Sequence, residues 1–392
     1  MAQQFNPDEI CQLSAGGALY HDWESVWVQQ RWAESFHRFR FTAAERGNLP
    51  DSWADLRQFK PGDPCTIQLA DQLAFTGLIT TRQVAYDANS HQVQLMGKSM
   101  TAGPAKSTAY TKSGNFDGMT FVQVAEKVLE PYGGKSIIEV VGKPDPTPFV
   151  QLQNQPGEKI WDFLERIARP RGIVMGSNKY GKFLIIGPHN GNVGPSVVEG
   201  VNIKACQCLI QNDNVFNLYG AIVQDGGTDG HNGAQASPPP AWCPGSAKDN
   251  SCLVTPMEQP VRTPQELLSH VKNIAVWHEG YIIQANITVQ GWIAPNGSIW
   301  NPGDKVFVKS PMAMLSQYLK IMSATFMQDN QNGTQTVLEL VRPILLRDTE
   351  YGAIVGAAVG NPTMNQPANV PDTGRSATNP APPGNPTGVG HN

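Results

Sequence analysis

The chain has 392 residues, more than one ordinary core holds, which points to two or three domains. Only 16% of residues are charged, whereas Gly numbers 38 and Pro 31, a balance that favours strands, turns and irregular loops over long solvated helices. The formal net charge of -4 argues against a dedicated nucleic-acid-binding surface and leaves room only for a local basic patch.

Met1 to Asp8 has neither the basic start nor the apolar core of a signal peptide, and the bland stretch Tyr351 to Gly360 is too short to cross a bilayer. A soluble chain without a membrane anchor, made in the cytoplasm, is expected. The six cysteines are too sparse for a disulfide scaffold. Cys206 and Cys208 share one face of an expected strand and read as buried thiols. Cys243 and Cys252 flank a Pro/Gly loop and would pair only in an oxidising medium; two free thiols are favoured.

The first hundred residues read as strands. Trp23–Val28 and Phe36–Phe41 carry β-formers in near-alternation. The turn Pro61-Gly62-Asp63 leads into Cys65–Leu69 and Phe75–Ile79, and Asp87–Ser90 turns the chain into Gln92–Leu95. Short strands at this spacing predict a small barrel over 1–110.

From about residue 110 the period changes to that of helices. Phe121, Val124, Ala125, Val128 and Leu129 form one stripe, ended by Pro131 and Gly133-Gly134; Ile160, Phe163, Leu164, Ile167 and Ala168 form another. The second helix is expected to start after Pro156 with Glu158 in its first turn, with Asp162 and Arg166 as an i,i+4 pair. A strand, Phe183–Ile186, follows. Residues 111–198 are thus an α+β module.

Strands resume at Val201–Cys208 and Val215–Val223, after which 225–256 dissolves into Gly, Pro, Ser, Asn and Ala and reads as a long surface loop. Thr263-Pro264-Gln265-Glu266 is a helix start, and replacing Thr263 by Ala should cost about 1 kcal/mol. Tyr281–Gln290 is the clearest half-buried strand. Pro302-Gly303-Asp304 then opens a run of turn, strand, strand, polar turn and strand that repeats the order after Pro61-Gly62-Asp63. A second barrel is expected from 199–224 and 279–345, interrupted by a 225–278 insertion of loop and helix. The fold class is mainly β with an α+β insert. Residues 346–392 are rich in Gly and Pro and poor in charge, which predicts an extended or flexible tail; Ala353, Ile354, Val355 and Val359 are its main apolar cluster and the expected interface anchors.

No phosphate-binding loop, dinucleotide fingerprint, zinc-protease helix or nucleophile elbow is present. Glu158, Asp162 and Glu165 offer carboxylates at helical spacing, as a hydrolase acid and base require, but acids at a helix start more simply serve its dipole. Asp225, Asp229 and His231 match no metal-site spacing, and His21-Asp22 and His189-Asn190 form no triad. No catalytic, cofactor or metal site is expected. Nine Trp, among them Trp23, Trp27, Trp32, Trp53, Trp277, Trp292 and Trp300, exceed what two small cores need and point to buried interfaces.

The order of motifs resembles the baseplate hub proteins of contractile-tailed phages, the Mu-like hub and late control protein D group. The similar residues are Trp23-Glu24-Ser25-Val26 leading to Phe39-Arg40-Phe41; Pro61-Gly62-Asp63 with Thr76–Ile79, Tyr86-Asp87 and His91-Gln92-Val93; Gly97-Lys98-Ser99; Pro156-Gly157-Glu158; Trp161–Ala168; and Gly181–Ile185. Met100–Pro104 departs from the acidic, apolar stretch usual at that point, so the exit from the first barrel is expected to differ. The 225–256 loop and the chain after Glu350 are not covered. The resemblance implies a homotrimer whose two barrels per chain make a pseudo-six-fold ring. Such a ring joins a six-fold tail tube to a three-fold central spike, touches other baseplate proteins and the tape measure, and passes DNA through its lumen. A virion tail baseplate is the implied location. The alternatives are the hub part of a contractile secretion spike, or, from a different class, a peptidoglycan-binding protein or hydrolase.

Overall fold

The computed structural model describes residues 9–44, 59–87, 91–111, 114–189, 191–223, 240–256 and 264–343. Two short strands that the sequence did not announce, Cys11–Ala15 (β1) and Ala18–Tyr20 (β2), form a hairpin across Gly16-Gly17, whose φ angles of 59° and 86° are those a tight two-residue turn demands. Ser25–Arg31 (β3) and Arg38–Ala44 (β4) follow, then Pro64–Leu69 (β5), Gln72–Tyr86 (β6) and His91–Ser99 (β7). Strict alternation buries Val26, Val28, Phe39, Phe41, Val93 and Leu95 on one face. At the departure noted in the sequence, the chain leaves β7 through a short helix, Ala102–Lys106 (α1).

The module holds helices Phe121–Val128 (α2) and Ile160–Ala168 (α3) and strands Ile138–Val141 (β8), Val174–Ser177 (β9) and Phe183–Ile186 (β10), in the sheet order β8-β10-β9. Thr120 caps α2 in a reciprocal box with Gln123. The expected start of α3 is corrected: Lys159 is its N-cap and Glu158 lies before it. The module docks through buried hydroxyls. Thr101 Oγ1 lies 3.0 Å from Ser177 Oγ and 2.9 Å from Ser99 Oγ, and it donates to Ser35 O at 2.6 Å.

Val197–Val198 (β11) and Ile203–Ile210 (β12) return to the main sheet. Leu218–Ile222 (β13) does not: it lies between Ala241–Pro244 (β14) and Cys252–Pro256 (β15) in a separate sheet covered by the helix Pro264–Gly280 (α4). This corrects two expectations. Residues 240–256 are not wholly loop, and the strand at 218–222 belongs with the insertion rather than the second β unit. Cys243 and Cys252 flank β13 on opposite sides, opposite Tyr219 and Leu218, so two strand spacings of about 4.8 Å keep them apart and both are free thiols. Thr263 lies outside the described residues.

Ile283–Gln290 (β16), Lys305–Ser310 (β17), Leu315–Asp329 (β18) and Gly333–Val341 (β19) complete the chain. The two halves run alike. The strands after each Pro-Gly-Asp have 6, 15 and 9 residues in both cases. Gly62 N–H donates to Ile79 O at 2.8 Å and Ile79 N–H to Asp63 O at 3.0 Å; Gly303 with Ile321, and Ile321 with Asp304, repeat both distances. A bulge follows each bracket, at Ile79/Thr81 and at Ile321/Ser323.

The two halves, expected as separate barrels, are joined through their strands. They share one 13-stranded sheet of open order β12-β16-β19-β18-β3-β4-β7-β6-β5-β1-β2, with β17 on β18 and β11 on β17. The seam is the antiparallel pair β18–β3, Ser323 opposite Arg31 through Gln328 opposite Val26. One apolar core runs beneath both halves, with Phe39 and Phe41 stacked at 4.9 Å and Trp23 at 4.7 Å from Phe41. Buried Glu9 ties the N-terminal end to the second half, accepting from Trp292 N–H at 2.7 Å and Ile293 N–H at 3.2 Å.

Candidate assembly surface

The face of the main sheet opposite the core is polar, and mostly uncharged in the second half. Gln284, Asn286, Thr288 and Gln290 of β16 alternate with buried apolar residues, and Gln335 and Glu339 of β19 do the same. A recess of about 510 Å³ on this face is lined by Gln29, Gln207, Asn286, Thr288, Thr325 and Glu339 among others. Arg31, which reaches Glu339 in the recess wall, is held by Glu34 at 3.0 Å and Glu339 at 3.1 Å. In the first half Arg38, Arg40 and Lys98 share this face, a local basic patch braced on aromatic rings: Arg38 and Lys98 lie 5.0 and 4.6 Å from Phe36, and Arg40 lies 5.9 Å from Trp27.

The sheet has open edges. Among the described residues β12 pairs only with β16, and β6 runs past the end of β5, so that its second half has β7 on one side and no such strand on the other. Several core-side residues of these edges are exposed. Val84 is 44% exposed and Tyr86 74%; on β12, Ile210 is 44% exposed and Cys206 is exposed. The expectation of buried Cys206 and Cys208 is thereby corrected. They share a face as expected, but Cys208 is only partly buried against the core and Cys206 is exposed.

The helix carboxylates are engaged. Glu158 receives Arg166 through two bonds, 2.7 Å from Nε to Oε1 and 2.8 Å from Nη2 to Oε2, and accepts from Gln155 N–H at 3.0 Å. Burial pushes the Glu158 carboxyl up, but the Arg166 and Gln155 hydrogen bonds with the Arg166 charge outweigh it and hold it below the usual range. The expected Asp162–Arg166 pair is therefore replaced by Glu158–Arg166, and Glu165 pairs with Arg169 at 2.6 Å. His21 and Asp22 form an exposed pair at 2.9 Å, and His189 Nδ1 lies 3.1 Å from Gly187 O. No cluster of three or more His, Cys, Asp or Glu suited to a metal occurs among the described residues, and none of their helices is long and apolar enough to cross a membrane. Asp225, Asp229 and His231 lie outside them, as do Trp53 and the expected anchors Ala353, Ile354, Val355 and Val359. Of the tryptophans, Trp292 and Trp300 are core, whereas Trp277 is more than half exposed.

A mainly β chain whose sheet ends in open, partly apolar edges, beside a docked α+β module, has the build of an assembly protein. Known proteins make the class specific. Residues 10–99 match the family model of the Mu phage baseplate assembly protein GpP-like N-terminal domain, and residues 105–187 that of the baseplate hub protein gp44-like second domain. The chain is 24% identical to the baseplate hub protein gp44 of Escherichia phage Mu over 84% of its own length and 86% of that protein. The 43 kDa tail protein of prophage MuSo2 from Shewanella oneidensis shares its fold, with a TM-score of 0.71 at 23% identity, over 87% of this chain and 100% of that one. An E. coli type VI secretion component, described as structurally similar to bacteriophage tail proteins, aligns with a TM-score of 0.52 at 12% identity, over 85% and 80% of the two chains. The resemblance carried by the motifs is thus shown: the chain is similar to the Mu-like baseplate hub proteins along most of its length.

Proposed function

We propose that this chain is the structural hub of a contractile phage tail baseplate, a non-enzymatic homotrimer that joins a six-fold tail tube to a three-fold central spike. The observation that carries the reading is the internal repeat: two β units with the same strand lengths and the same Gly–Ile bracket, fused into one sheet. Three copies present six similar units around an axis, which lets a three-fold assembly meet a six-fold partner. The similarity to the hub protein of phage Mu supports this location in the virion.

In this reading the units are 1–110, the module 111–198 and a second β unit resuming at β16, with the insertion beginning near β13. The partners are the tube protein, the spike protein, other baseplate proteins and the tape measure. The polar sheet face lines the channel, where amides and a neutralised Arg31 let DNA pass without sequence-specific contact; the Arg38, Arg40 and Lys98 patch holds phosphate only transiently. The test is light scattering on the purified chain and a cryo-EM map of the particle that contains it. A trimer between tube and spike is expected; a chain outside the central axis would end the proposal.

A second reading, the hub part of a contractile secretion spike, is favoured by the likeness to the type VI component. The particle from which the chain is purified separates the two, since only a phage tail joins a DNA-filled head. A peptidoglycan hydrolase is disfavoured by Glu158, whose two carboxylate oxygens both face Arg166. A zymogram showing lysis that disappears with Glu158→Gln or Glu165→Gln would revive it.

A further inference from the structure

Where α4 leads into β16, the surface opens into a recess of about 500 Å³. Trp277 and Tyr281 meet there edge to face, their ring centroids 4.9 Å apart at 69°, and Trp277 is 56% exposed. Gln211, Asn214 and Gln284 supply amides, Ile282 adds an apolar side chain, and no Asp, Glu, Lys or Arg lines the recess. The walls are held in place. His278 Nδ1 lies 2.8 Å from Asn214 O and its ring stands edge-on to Phe216 at 5.5 Å, while Gln211 N–H donates to Ile282 O at 3.0 Å. The hub reading makes no use of this aromatic, amide-lined and uncharged site.

We infer that the recess takes the proline-rich segment Asn379-Pro380-Ala381-Pro382-Pro383-Gly384-Asn385-Pro386 of the same chain, which lies outside the described residues. Pro380, Pro383 and Pro386 recur every three residues, the length of one polyproline II turn, so that form sets all three rings along one edge. A polyproline II backbone makes no hydrogen bonds to itself and leaves its carbonyls for outside donors, here the Trp277 indole N–H and the side-chain amides. Proline rings laid on aromatic side chains, with donors on the intervening carbonyls, are how aromatic grooves recognise such segments. The contact lies within one chain and does not depend on the trimer. A partner that binds the same prolines must displace it first.

Three observations favour this occupant. The described chain leaves at the rim of the recess: Val341 of β19 lies opposite Gln284, and Arg342 Nη1 donates to Glu279 O at 3.0 Å, at the end of α4 between His278 and Tyr281. The tether has a suitable length. Asn379 follows Pro343 by 36 residues, and a chain of that length spans about 30 Å on average, which keeps the segment at an effective concentration on the order of 1 mM. The charges also agree, because Asn379 to Pro386 carries none and so enters an uncharged recess without stranding an ion.

Arg375 is the only Lys or Arg after Arg347, so trypsin reports on the segment through one bond. The initial rate at which the full chain releases residues 376–392, followed by mass spectrometry, tracks the undocked fraction. A synthetic peptide of residues 368–392 sets the undocked rate. With a dissociation constant of about 0.1 mM the segment is docked about nine-tenths of the time, and the full chain should release the fragment about tenfold more slowly than the peptide. Trp277→Ala should raise the rate to that of the peptide, as should Pro380→Ala, Pro383→Ala and Pro386→Ala together. Trp277→Phe, which keeps a ring, should restore most of the protection. Trp277 is more than half exposed, so its replacement leaves the core intact, and circular dichroism checks this. Equal rates for the wild-type chain and the peptide overturn the docking. Protection that survives Trp277→Ala overturns the recess, and protection that survives the triple proline change overturns the segment. Protection that grows with chain concentration overturns the contact within one chain in favour of a second copy.

Discussion

Trp32 lies so close against Gly303 that a Cβ on the glycine would run into the indole ring, and Gly303 holds φ at 96°. Gly62, its counterpart in the first half, has φ of 100° and open space around it. Alanine at Gly62 should cost about 1–2 kcal/mol from backbone strain. Alanine at Gly303 adds overpacking of about 1–3 kcal/mol. Urea unfolding of the two variants should show the larger fall in midpoint for Gly303→Ala, and equal falls would mean the indole moves aside freely.

His37 is buried where β4 meets the module, its Nδ1 3.4 Å from Arg31 N–H. Burial lowers its pKa from 6.5 to about 4, against a backbone hydrogen bond with Ser177 that raises it. The unfolded chain therefore takes up a proton near pH 6.5 while the folded chain does not. His37 contributes full stability above 6.5, and that contribution is lost as pH falls from 6.5 to about 4, up to about 3 kcal/mol in all. Stability measured from pH 7 to 4.5 should fall more steeply in the wild type than in His37→Gln.

Thr120 Oγ1 accepts from Gln123 N–H at 3.4 Å while Gln123 Oε1 accepts from Thr120 N–H at 2.9 Å. Thr120→Ala removes the cap of α2 and should lower stability by about 1 kcal/mol. Thermal melts of the full chain check this, with Thr120→Ser expected to retain most of the stability.

Glu158→Gln breaks the two-bond clamp with Arg166 and should destabilise by about 1–2 kcal/mol at pH 7. Because the folded carboxyl sits below its ordinary range, the clamp's contribution is present above the unfolded pKa and is lost as pH falls through the folded one. The gap between wild type and variant should therefore close in acid. A gap that persists under acid would place the effect in packing rather than charge.

Deleting residues 361–392 is expected to leave the proposed trimer folded and to lower spike retention or tail assembly, with Ala353, Ile354, Val355 and Val359 as the proposed anchors. Sedimentation of the truncated chain and counts of assembled tails decide it. An unfolded trimer would place the segment in the core, and unchanged assembly would make it dispensable.

Local pattern determined much of this protein. The stripe Ile160 to Ala168 delimits α3, alternation locates β16, and the two Pro-Gly-Asp turns announce a repeat that the backbone hydrogen bonds reproduce to the ångström fraction. Helical and strand periodicities depend on near neighbours, so sequence carries them. Pairing between distant strands depends on which surfaces meet, and alternation alone does not encode the meeting. Hence the β18–β3 seam, which turns two units into one sheet, emerged only in three dimensions. Strands β14 and β15 were hidden in a Gly/Pro-rich stretch because their stability comes from α4 packed over them rather than from their own composition. Arg166 reached Glu158 instead of Asp162 because the loop before α3 folds back onto the helix. Alternation put Cys206 and Cys208 on one face, but only the tertiary structure decided that Cys208 is partly buried against the core and Cys206 exposed, since coverage is a property of what packs against a strand and not of the strand itself.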